Sequence, residues 1–166
     1  MNAHAYLIAT LLLTGMGISG CSAVGKPKSP ELLKTSSFEI CPWKPNAAGL
    51  EVVRNTADWQ QLLSPAQQNL GELRTWKPSF DNGHRIVVYR MGQKNSAGFS
   101  VNFGTPSLLL GNQLRLPLML NTPPAGSMNA MVLTSPCVVG WVDVSSGTSV
   151  ELVSDSSKAV ISTAAL

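Results

Sequence analysis

Gln113-Leu114-Arg115-Leu116-Pro117-Leu118-Met119-Leu120 is the stretch that decides the fold class of this chain. Leucine at every second position places four apolar side chains on one face and Gln, Arg, Pro and Met on the other. A period of two belongs to a strand with one buried face; a helix would need apolar residues three and four apart. Pro117 brings no N–H to a ladder, so the strand is expected at a sheet edge or at a bulge. Upstream, Phe99, Val101 and Phe103 alternate with Ser100 and Asn102. Ile86-Val87-Val88-Tyr89 is apolar on both faces, as a central strand would be. Downstream, residues 130–134 and 137–143 read as strands, with Cys137, Val139 and Trp141 on one face. Residues 148–153 and 159–163 extend the pattern. Nearer the start, residues 38–41 and 49–54 read as short strands around a Pro42/Pro45/Asn46 loop.

One segment breaks the period. Thr56 reads as a helix N-cap, with Asp58 in the first turn near the positive helix end. Trp59, Leu62 and Leu63 follow at i, i+3 and i+4, on one face. Pro65 restarts a short turn, Ala66 and Leu70 continue the stripe, and Gly71 stops it. The expectation is a mainly β chain: an antiparallel β-sandwich or small barrel with one short N-terminal helical stretch.

Composition sets outer bounds. The chain has 166 residues, 44% hydrophobic and 13% charged, with a net charge of +3. The apolar share is ordinary and the charge about half the usual, which argues for one folded domain and against disorder of the whole chain. A net charge this small and unclustered does not describe a nucleic-acid binder. Two histidines and three cysteines leave little material for a metal site.

The first twenty residues read as an address. Residues 5–13 (AYLIATLLL) form an apolar run about 14 Å long as a helix, from a rise near 1.5 Å per residue. That is too short for a bilayer core, which needs about 20 residues, and it has the dimensions of a signal-peptide core. Ile18-Ser19-Gly20-Cys21 resembles the bacterial lipobox: an aliphatic residue, two small residues and a cysteine. The resemblance implies cleavage before Cys21, a diacylglycerol thioether on its sulfur, and acylation of the new amine. Several acyl chains, at about 0.8 kcal/mol per buried CH₂, anchor stably where one is marginal. Met1–Tyr6 holds no Lys or Arg, which departs from the usual signal; an ordinary secretory signal or a buried N-terminal helix is the plainer alternative. Ser22, where an Asp would retain the protein elsewhere, resembles an outer-membrane sorting signal and implies an anchor facing the periplasm. Residues 21–37, with Gly25, Pro27, Pro30 and three lysines, read as a lipidated polar tether. The domain proper is expected over 38–166.

Export bears on the remaining cysteines. Cys41 and Cys137 are expected to bridge in an oxidising compartment, closing a loop of about 95 residues worth on the order of 4 kcal/mol in the chain-entropy model. Two separate buried thiols are the alternative. Two cysteines without CxxC spacing and one remaining histidine do not make a closed tetrahedral site, so no metal or other cofactor is expected.

The segment from Ile86 to Val142 carries a family resemblance. Its first strand ends at Gly92. Lys94, Ser96, Gly98 and Phe99 follow as a basic residue, a hydroxyl, a glycine and an aromatic that opens the next strand. Thr134 and Pro136 precede the later strand, and Asp58-Trp59 with Leu62 match an upstream helix. This order resembles the C-terminal domain of the PrcB-like family, named for a lipoprotein that accompanies a surface protease complex, and it spans about residues 56–143. Ala97 stands where the family has the first glycine of a pair, and Lys94 and Phe99 stand where Arg and Tyr are typical. The resemblance implies a β fold and, by analogy, a protease complex as partner. The residue types also follow from chain geometry: Gly92 and Gly98 supply positive φ at the ends of a long connection, and Asn95 and Ser96 bond local amides.

Catalytic constellations are thin. Once Cys21 becomes the first residue, His84 is the remaining histidine, and Asp81, Asp143 and many serines exist, but there is no Gly-x-Ser-x-Gly elbow. The acids are scattered singly, and no glycine-rich loop leads into a helix. The chain is therefore read as a non-enzymatic envelope lipoprotein. It is held to a membrane by acyl chains on Cys21 and binds another envelope protein through hairpin loops carrying Lys94, Asn95, Ser96, Gly98, Thr122, Pro123 and Pro124. A protease inhibitor using residues 122–126 as a stiff insertion loop is the alternative, and a hydrolase based on His84 is a third reading.

Overall fold

The computed structural model describes residues 29–64, 69–109, 112–145 and 147–166. The expected signal segment, the lipidation site Cys21, the tether up to residue 28, and Pro65 and Ala66 lie outside the described residues.

Among the described residues, nine strands form two sheets. The first holds β1 (Glu31–Phe38), β2 (Ala48–Val53), β3 (His84–Met91) and β7 (Cys137–Asp143), in the order β1-β7-β3-β2 and antiparallel throughout. The second holds β4 (Ser100–Phe103), β6 (Gln113–Asn121), β8 (Ser149–Ser154) and β9 (Val160–Ala165) in that order, with β5 (Ser107–Leu109) also on β6. The sheets face each other as a sandwich and do not close into a barrel. The antiparallel expectation has one exception, because β6 and β8 run parallel with Arg115 opposite Glu151. Those two side chains form an ion pair at 2.9 Å.

Alternation explains the packing. Val87, Val138 and Val142 of the first sheet meet Val101, Phe103, Leu114, Leu116, Leu118, Val150 and Leu152 of the second. The other face of the first sheet, with Ile86, Val88, Cys137 and Val139, is covered by Trp43, Trp59, Leu62, Leu70, Leu73, Trp76 and Phe80. The first sheet is thus buried on both faces, which is why β3 reads as continuously apolar while β6 alternates.

The covering layer begins with α1 (Thr56–Leu62), which buries Trp59 and Leu62. Its N-cap is Asn55, one residue before the expected Thr56. The Asn55 side chain accepts the Asp58 N–H at 2.8 Å and donates to the Asp58 carboxylate at 2.8 Å, a reciprocal cap. Gly71 does not end the helical region; it opens a 3₁₀ turn over Gly71–Thr75 that buries Leu73, followed by another over Phe80–Asn82.

Three further expectations are corrected. Residues 31–37 are not tether: they belong to β1, paired along β7 from Glu31 opposite Asp143 to Phe38 opposite Cys137. The segment is polar enough to read as linker because an edge strand buries little. A register shift between Leu32 and Lys34 turns Leu32 toward the second sheet, while Phe38 packs on the covering layer. Pro117 lies at neither an edge nor a bulge. Its carbonyl accepts the Gly104 N–H at 2.8 Å, in the gap where β4 has ended and β5 has not begun. A residue's N–H and C=O point to the same side of a strand, so the missing donor falls in that gap. Residues 130–134 are not a strand; Thr134 makes an isolated bridge to Lys94 and the rest is irregular.

Candidate functional site

The two loops singled out from sequence meet at one end of the sandwich. The first, residues 92–99, joins β3 to β4; the second, residues 122–136, joins β6 to β7. Main-chain bonds fasten them together. Lys94 and Thr134 exchange both N–H···O bonds, at 2.7 and 3.0 Å, the Ala97 N–H reaches Ala130 O at 3.0 Å, and the Met91 N–H reaches Pro136 O at 2.9 Å. The Thr134 hydroxyl donates to Ser96 O at 3.1 Å, and the Asn121 amide to Gly98 O at 3.1 Å. Gly98 has φ +93°, and a Cβ there would lie 3.0 Å from Pro123 Cγ, so the close approach of the loops depends on it.

Each expected residue can be placed. Lys94, Ser96, Gly98 and Pro123 form the seam between the loops. Asn95, Thr122 and Pro124 are exposed beside it. The Lys94 ammonium sits 5.6 Å from the centre of the Phe99 ring. Pro124 O accepts both the N–H and the hydroxyl of Ser127, at 3.1 and 2.7 Å. Residues 124–127 thus close a turn within the proline-rich segment.

A third segment braces the platform from beneath. The Cys41 N–H donates to Ser135 O at 2.8 Å and to Ser135 Oγ at 3.1 Å, and the Ser135 N–H donates to Glu39 O at 3.0 Å. Cys41 and Cys137 form a disulfide with their Cα atoms 5.4 Å apart, both cysteines buried. The bond thus ties residues 39–43 to the first residue of β7, at the root of the second loop.

What sequence reading missed is the apolar crest of that loop. Met128 is fully exposed, Met131 87% exposed, and Val132, Leu133 and the neighbouring Ile40 are exposed as well. Between Lys94 and Asp143 the sequence has one charged residue, Arg115, and that residue pairs with Glu151 on the second sheet. The available signal was this charge-free run bracketed by Pro123, Pro124 and Pro136, with Met131-Val132-Leu133 consecutive instead of alternating. A groove of about 340 Å³ between β1 and β4 opens next to the platform, lined by Phe38, Glu39, Gly98, Phe99, Ser100 and Asn121.

His84 has another role. Its Nδ1 accepts the Ser79 N–H at 2.8 Å, and its ring stands edge-on to Trp141 at 5.3 Å. The nitrogen that a carboxylate would orient in a catalytic triad is thus taken by the main chain. Among the described residues no group of three or more His, Cys, Asp or Glu side chains is placed to hold a metal ion, and no helix is long and apolar enough to cross a membrane.

Comparison with protein-family models, curated proteins and solved structures finds no match to the chain. The PrcB-like reading accordingly rests on the residues quoted from the sequence.

Proposed function

We propose that this chain is an envelope lipoprotein, acylated at Cys21, that serves as a non-enzymatic binding or assembly subunit for another envelope protein. The observation that carries the reading is the exposed, uncharged crest Met128–Leu133 mounted on loops that are hydrogen-bonded to each other and braced by the disulfide. An apolar patch of this kind on a rigid scaffold is a recognition surface. The resemblance to the PrcB-like family points to a protease complex as the class of partner.

The path of the chain supports the same arrangement. It enters the first sheet at Glu31 and reaches the platform at Phe38, about 25 Å further on at roughly 3.3 Å per residue. A lipid at position 21 would join the domain at its Glu31 end, at the far end of β1 from the platform. Cross-linking in intact envelopes from a photoreactive residue at position 131, together with fatty-acid labelling, tests the proposal. Fatty-acid label on Cys21 and one dominant cross-linked envelope protein are expected. Replacing Lys94, Asn95 and Ser96 by Ala should weaken that cross-link with little loss of thermal stability, because the loop seam runs mainly through their main-chain atoms. An unlabelled chain, or a cross-link profile identical to that of a probe placed at the Glu31 end, would refute it.

A further inference from the structure

Sulfur is unevenly placed among the described residues. Cys41 and Cys137 are buried and already joined, so neither offers a thiolate to an oxidant. Met91 is half-buried and packs against the cluster between the sheets. Met119, on β6, is 46% exposed. Met128 and Met131 stand apart: they are 100% and 87% exposed, on the loop joining β6 to β7, with Val132 and Leu133 exposed beside them. Neither belongs to the covering-layer core or to the core between the sheets. Chemistry at these two sulfurs therefore leaves the sandwich and the disulfide as they are.

We propose that Met128 and Met131 form a reversible oxidation site, and that their oxidation state switches the crest between an apolar and a polar surface. This rests on the docking reading above and adds its regulation. The oxidant is hydrogen peroxide, which an envelope protein meets from outside the cell. A thioether lone pair attacks one peroxide oxygen. An S–O bond forms as the O–O bond breaks, the sulfur is oxidised by two electrons, and the other oxygen leaves as water with both protons. Each sulfoxide sets a strong hydrogen-bond acceptor where a flexible apolar side chain stood. On docking, that oxygen must leave water, which is unfavourable unless the partner supplies a donor. A surface complementary to Met128, Met131, Val132 and Leu133 is apolar at that point. The brace does not respond to the same oxidant, because its cysteines are already a buried disulfide. Methionine sulfoxide reductases reverse the step, so the switch runs both ways.

The test has two arms. In the first, the full chain in mild detergent is exposed to graded hydrogen peroxide and its methionines are followed by peptide mass spectrometry. Met128 and Met131 should gain their oxygen about threefold faster than Met119 and about tenfold faster than Met91. Indole emission should stay constant, since Trp43, Trp59 and Trp76 lie in the untouched layer. Even oxidation of all four methionines, a lead by Met119, or a shift in emission would overturn the site. In the second arm, a photoreactive residue at position 132 reports docking in intact envelopes before and after peroxide. The dominant cross-link should fall by about tenfold and return when sulfoxide reductases are added to opened envelopes. Measured against its own untreated level, a Met128→Leu/Met131→Leu chain, close in side-chain volume, should keep its cross-link through the same dose. Equal loss in both chains would place the oxidation on the partner, and no loss in either would mean that the sulfoxides do not matter; each overturns the switch while the docking reading stands. No dominant cross-link from the untreated chain removes the docking reading, and the switch with it.

Discussion

Breaking the Cys41–Cys137 bond should cost this domain a large share of its stability. The bridge spans a sequence separation of 96 residues, and the chain-entropy model assigns a loop of that length about 4.7 kcal/mol at 25 °C. Burial adds little against it, because both cysteines sit in the apolar layer beside Trp43 and Val139, where free thiols behave as small hydrophobes. The loop term is therefore the main one, and about 3–5 kcal/mol is the expected loss. With a urea dependence of about 1.5 kcal/mol per molar, the unfolding midpoint should fall by roughly 2–3 M. The assay compares the oxidised chain with the same chain reduced in denaturant and kept reduced through the titration, so that the two differ only in the bond. Trp43, Trp59 and Trp76 are buried in that layer and Trp141 packs against it, so indole emission reports the transition. Midpoints agreeing within about 0.3 M, at equal slope, would refute the reasoning. The bridge would then close a loop that the unfolded chain already keeps short, or strain in the folded state would cancel the gain.

Two further outcomes follow from packing and burial. Gly140→Ala places a Cβ 2.8 Å from the Phe103 ring and 3.1 Å from Leu32, between the two sheets. The expected loss is about 1–3 kcal/mol in urea unfolding, with the disulfide intact, and an unchanged midpoint would mean that Phe103 has room to turn. Burial holds the Tyr89 phenol above its ordinary value of 10.0. The folded chain thus keeps this proton to higher pH than the unfolded chain does, so stability is fully present below pH 10 and falls as the pH rises above it. Tyr89→Phe should remove that part of the alkaline fall in unfolding midpoints between pH 8 and 11, and parallel curves for parent and variant would contradict the assignment.

Local pattern determined a large part of this molecule. The leucine alternation of β6, the doubly apolar β3, the shared face of Cys137, Val139 and Trp141, and the stripe of α1 are all statements about near neighbours along the chain. Periodicity reports them directly because burial on one face is imposed on successive residues together. The same holds for the two candidate loops, whose glycines and prolines mark where the strands stop. Other features depend on what arrives from far along the sequence. Residues 31–37 look like linker until β7 comes to pair with them, since an edge strand needs main-chain partners more than apolar side chains. Pro117 is tolerated inside the second sheet because the neighbouring strand is interrupted opposite it. Residues 130–134 have the composition of a strand, yet among the described residues they pair only through the isolated Lys94–Thr134 bridge, and Met128, Met131, Val132 and Leu133 stay exposed. Strand propensity belongs to the residues, but a hydrogen-bonded ladder needs a second segment, and only the tertiary arrangement decides whether one is there.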